Sequence, residues 1–124
     1  MGARNYRDLI VWQKAMDLAE EVFGITALWP KEQLFGLTIQ AQRAAVSIAS
    51  NIAEGQGRNR PAEFLRFLDI AHGSRCELET QLTLACRVRF ITESKMNQLL
   101  DQTAEIGRLL HGLMRTLRSK MAAA

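Results

Sequence analysis

Along the last third of this 124-residue chain, Leu99, Thr103, Ile106, Leu110, Leu113, Met114 and Leu117 recur at three- and four-residue steps. That spacing gathers side chains on one face of an α-helix with 3.6 residues per turn, whereas a strand, with its period of two, would scatter them. Phe64, Leu68, Ala71, Leu78, Leu82 and Ala85 repeat the pattern upstream, and two further amphipathic segments precede them. Only two prolines interrupt the chain. Trp29-Pro30 closes a first helix over about 8–28, because the residue before proline is pushed out of helical geometry. A second helix spans about 35–54, with Gly55 suited to the left-handed position that ends a helix. Pro61 fits the first turn of a third helix over about 61–88, with Glu63 near its positive end. Thr92 is a candidate N-cap for a fourth helix over about 92–120. Helices of this length joined by short turns must lie antiparallel, so the expected fold is all-α: a single-domain, up-down-up-down four-helix bundle over residues 1–124.

Two of the helices are apolar around more of their circumference than a solitary bundle needs. On the second, Leu37, Ala41, Ala44, Ile48 and Ile52 form one stripe, while Ile39, Val46 and Ala53 form another almost opposite. On the first, Val11, Trp12, Ala15, Met16, Leu18, Ala19, Val22, Phe23 and Ile25 cover about half the girth. A stripe of about 100° suffices for one core. Leaving large side chains such as Val11, Leu18, Ile39 and Val46 in water forgoes roughly 1.5–3 kcal/mol each. The expectation is therefore homo-oligomerisation, with Val11, Leu18, Ile39, Val46 and Ala53 as subunit contacts.

No stretch of 18 apolar residues offers a membrane span, and the opening MGARNYRD has no apolar leader, so a cytoplasmic protein without membrane partners is expected. Cys76 and Cys86 stand ten residues apart on one helix, roughly 15 Å at 1.5 Å per residue and beyond disulfide reach of about 7 Å. They read as reduced, space-filling thiols. The net charge of +3 permits an anionic partner without demanding one.

The candidate sites are few. Gly55-Gln56-Gly57-Arg58 has the composition of a phosphate loop, but phosphate-binding glycines open a helix and these close one. The wedge Arg43, Ser47, Asn51 and Glu54 lies along one side of the second helix, and Ser74, Arg75, Glu77 and Glu79 border the apolar stripe of the third. Charges there need partners, because an unpaired buried charge costs several kcal/mol. A structural polar seam is expected, with Arg43 or Arg75 pairing Glu54, Glu77 or Glu79. Asp69-Ile70-Ala71-His72 offers one acid-x-x-His step where a di-iron bundle needs two Glu-x-x-His steps and carboxylates from all four helices, so no metal and no cofactor is expected. No spacing couples a cysteine with a histidine for nucleophilic catalysis, and no catalytic residue is assigned. Arg108, His111, Arg115 and Arg118 line one face of the fourth helix, and Lys120 extends it. With Arg58 and Arg60 in the turn before Pro61, they form a candidate nucleic-acid surface that would contact phosphates rather than read bases.

The stretches RDLIVWQKAMDLAEEV, FGLTIQAQRAAVSIASNIAEGQGR, EFLRFLDIAHGS and ELETQLTLA resemble the four-helix bundle proteins encoded in intervening sequences of bacterial 23S ribosomal RNA. The resemblance covers about residues 6–91 and extends more loosely into the fourth helix. It implies a homopentameric ring of antiparallel bundles with no established enzymatic activity. It also implies an architecture similar to accessory proteins of diversity-generating retroelements, which associate with a reverse transcriptase and nucleic acid. Asn51, Glu54, Gly55, Ser74, Glu77 and Glu79 match signature positions of that family. Ala41-Gln42-Arg43 stands where two consecutive basic residues are common, and Ala49 where proline is common, which should straighten the second helix. The expected function is a non-enzymatic scaffold whose partners are copies of itself and structured RNA or a nucleic-acid enzyme. The alternative is a protein-interaction adaptor that binds no nucleic acid.

Overall fold

The computed structural model describes residues 5–123. The first four residues, which open the stretch read as lacking an apolar leader, lie outside the described residues, as does Ala124. Four helices form: α1, Ile10–Thr26; α2, Ile39–Gly57; α3, Pro61–Arg87; and α4, Glu93–Ala123. The chain is an all-α four-helix bundle.

Local chemistry sets most helix ends. Thr92 caps α4, its Oγ1 accepting from Lys95 N at 3.1 Å. Pro61 opens α3, where its missing N–H leaves no helical bond unmade. The expected left-handed closure at Gly55 is corrected: α2 runs on to Gly57, no glycine among the described residues has positive φ, and Asn59 takes that conformation at φ 58°. Gly55 serves packing instead, since a Cβ there would stand 2.6 Å from Phe67 Cβ. The start of α2 also shifts. Leu34–Thr38 form a wide turn that is non-helical at Gly36, so regular helix begins only at Ile39.

Side-chain pairings fix the helix directions. Ser47 meets Ser74 and Gly55 meets Phe67 between α2 and α3. His72 faces His111, and Glu79 binds Thr103, between α3 and α4. Lys14 pairs with Glu105, and Glu21 with Lys95, between α1 and α4. In every pair the numbers rise on one helix as they fall on the other, so each pair runs antiparallel.

The core is aliphatic: Leu18, Val22, Ile48, Ile52, Leu68, Leu78, Leu82, Leu99, Ile106 and Leu110 are fully buried. On α2, Ala41, Ala44, Ala45 and Ala49 are buried as well, and these small side chains let α1 and α3 approach closely. Two expected subunit contacts are corrected here. Val11 is 4% exposed and Leu18 only 1%, so both are covered within one chain and cannot meet another. The physical reason is that α1 packs against α2 and α4 together, and two neighbours bury a wider arc than one. Ile39 and Ala53 remain half-buried and Val46 is exposed.

Candidate functional site

The polar residues of the middle helices separate into two clusters rather than one seam. Between α2 and α3, Ser47 and Ser74 share a 2.8 Å hydrogen bond, and Asn51 Nδ2 donates to both Ser47 Oγ (2.9 Å) and Ser47 O (2.8 Å). Between α3 and α4, Arg75 Nη1 donates to Glu79 Oε2 at 2.8 Å and to Thr103 O at 3.2 Å. Thr103 Oγ1 donates to the same Glu79 oxygen at 2.5 Å. The Arg75 guanidinium lies against Gly107, where a Cβ would stand 2.6 Å from Cζ. Of the expected ion pairs, Arg75–Glu79 forms. Arg43 and Glu77 are corrected to exposed side chains, and Glu54 to an exposed pair with Arg58 at 3.8 Å. These three side chains point away from the arcs that the neighbouring helices cover, so their charges stay in water. Of the residues that complete the second cluster, Thr103 was read only as part of the fourth helix's core stripe, and Gly107 carried no signal in the sequence.

What chemistry this permits follows from occupancy. Glu79 borders an open groove of about 620 Å³ between α3 and α4, together with Cys76, Thr83, Arg87 and Leu100, but its Oε2 is engaged by Arg75 and Thr103. Glu54 lies level with the region of Phe67 on α3, about twelve residues or roughly 18 Å along the helix from Glu79. The two carboxylates do not form an acid–base pair. Among the described residues no three His, Cys, Asp or Glu side chains stand together as a metal-ligand set. Cys76 and Cys86 are free thiols, and Cys76 is exposed rather than space-filling; its Sγ stands 3.9 Å from His72 Nε2 one turn back, which corrects the expectation that no spacing brings a cysteine and a histidine together.

The basic residues are at the surface. Arg108, His111, Arg115, Arg118 and Lys120 are exposed on α4, and none has an ion pair among the described residues. Lys120 and Arg60 line a common cleft of about 220 Å³ with Leu9, Pro61 and Phe64. Arg58 is tied down, paired with Glu54 and stacked over the Phe67 ring with its carbon 5.2 Å from the centroid. No helix among the described residues is long and apolar enough to cross a membrane.

Among the described residues, exposed apolar side chains gather at two places that bear on assembly. One is a groove of about 360 Å³ between α1 and α2, lined by Phe23, Ile39, Gln42, Arg43, Val46 and Ser47; Phe23 is 45% and Val46 43% exposed. The other is the end of the bundle where Leu28 is 85% and Phe35 91% exposed, beside Leu34.

Fold and surface together define a helical bundle with hydrogen-bonded polar groups between its helices and apolar and basic patches on its outer face. The chain belongs to the family of 23S rRNA-intervening sequence proteins, whose model matches residues 7–112. It is also similar to a crystal structure, at 1.70 Å resolution, of a protein of unknown function from the S23 ribosomal protein family of Bacteroides thetaiotaomicron. The two share 27% identity and a TM-score of 0.79 over 86% of this chain and 96% of the other. No curated protein matches.

Proposed function

We propose that this protein is a non-enzymatic scaffold that self-associates, as a pentamer by the family resemblance, and presents the basic face of α4 to structured RNA in the cytoplasm. The observation that carries the reading is the open α1–α2 groove, where Phe23, Ile39 and Val46 leave an apolar surface unfilled. A second copy would remove it from water at roughly 25 cal/mol per Å². The partnerless Arg108, Arg115 and Arg118 support the RNA half, because repetition around an assembly multiplies weak phosphate contacts. Light scattering at micromolar concentration tests assembly, and a monomer there overturns it. Filter binding to a structured RNA tests the second half. Binding should weaken with salt, log K falling by about 0.7–0.9 per phosphate contact for each unit of log salt, and Arg108→Glu with Arg115→Glu should weaken it about tenfold or more.

The second reading, a protein adaptor that ignores nucleic acid, is favoured by the apolar end of the bundle at Leu28, Leu34 and Phe35. An assembled protein with no RNA binding, or with binding indifferent to salt, supports it.

A further inference from the structure

Where α3 meets α4, two imidazoles face each other: the ring centroids of His72 and His111 lie 4.8 Å apart, edge to face. His72 Nδ1 is 3.4 Å from Arg75 Nη2, and its Nε2 is 3.9 Å from Cys76 Sγ. A guanidinium can only donate. His72 Nδ1 must therefore accept, and the neutral ring carries its proton on Nε2, towards Cys76. Arg75 is held from two directions. Glu79 and the Thr103 carbonyl hold Nη1, and Gly107 lies so close that even a methyl group would come within 2.6 Å of Cζ.

Protonating His72 turns Nδ1 into a donor aimed at a donor, with like charges at that short range. The ring must then turn or shift away from Arg75, which disturbs its edge-to-face contact with His111. We propose that His72, set against His111, is a proton-sensitive latch on the α3–α4 seam, closed while the His72 imidazole is neutral and loosened when it takes up a proton. The charged groups that act on His72 are Asp69, Arg75 and Glu79 of α3 and His111 of α4. On α4, Arg108 and Arg115 flank His111 by one turn on either side and add to the positive field. Burial first, then Arg75 and His111, hold His72 below the usual imidazole range, and the opposing pull of Asp69 and Glu79 does not restore it. The sign follows. Between the depressed folded value and the ordinary unfolded one, the unfolded chain binds more protons, so stability is full above the ordinary value and falls as the pH drops through that window.

The test is a set of thermal melts of the intact protein at pH 7.5, 6.5 and 5.5, with backbone hydrogen exchange corrected for its intrinsic pH dependence. Wild type should lose melting temperature as the pH falls across this range, and amides around Gly107–Met114 should lose protection. His72→Gln should lose clearly less. Equal losses in wild type and H72Q overturn the latch. Should H72Q fold poorly, imidazole NMR of the wild type and of His111→Gln decides. His72 must titrate below the usual range in wild type and higher in H111Q; a normal midpoint, or one unmoved by H111Q, overturns the proposal.

Discussion

Gly107 shows how much a single missing methyl group can hold. A Cβ there would meet Arg75 at 2.6–2.9 Å, so Gly107→Ala must displace a guanidinium that Glu79 and Thr103 hold. A loss of about 1–3 kcal/mol is expected, read as a lower urea midpoint. Gly73 and Gly24 meet nothing within 4 Å. Alanine at either should raise stability by up to about 1 kcal/mol through helix propensity alone. The same residue type thus predicts opposite outcomes at positions the sequence cannot tell apart. A glycine's role depends on what faces it, and the facing residue lies some thirty positions away. Gly55 carries the same lesson, since its place before a turn suggested a cap while Phe67 requires its smallness. Arg75–Glu79 was one of several pairings left open by the sequence, and four residues on one helix face bring these two together; Thr103, from another helix, was not legible as their partner.

At the scale of the helix, periodicity revealed which residues share a stripe but not how wide a stripe the bundle encloses. The repeats on α3 and α4 coincide with the buried positions Leu68, Ala71, Leu78, Leu82, Leu99, Ile106 and Leu110. On α1 the same reasoning misplaced Val11 and Leu18, because the arc a helix hides is set by how many neighbours flank it. On α2 the contrast yields a sharp test. Val46→Arg alters a side chain already 43% exposed, so it should leave the melting temperature of the dilute protein nearly unchanged while abolishing self-association in light scattering. Ile48→Ala, two residues on and fully buried, should instead cost about 2–5 kcal/mol. A Val46→Arg protein that still assembles would remove the groove from the interface.

For the molecule as a whole, the fold class was readable because four stripes and three short connections leave few arrangements. The functional surface was less so: a row of arginines looks the same whether it meets phosphate or only water. Leu9, leading into α1, and Leu117 and Lys120, closing α4, line one cleft, while Phe90, in the α3–α4 connection, packs against Trp29 at the opposite end. The polypeptide thus traces a nearly closed circuit of rods. Splicing its extremities with a short flexible peptide and severing the connection after Phe90 would give a reordered chain with every rod beside its old companions. Such a circular permutant should melt cooperatively and leave the arginines of the final rod as they were.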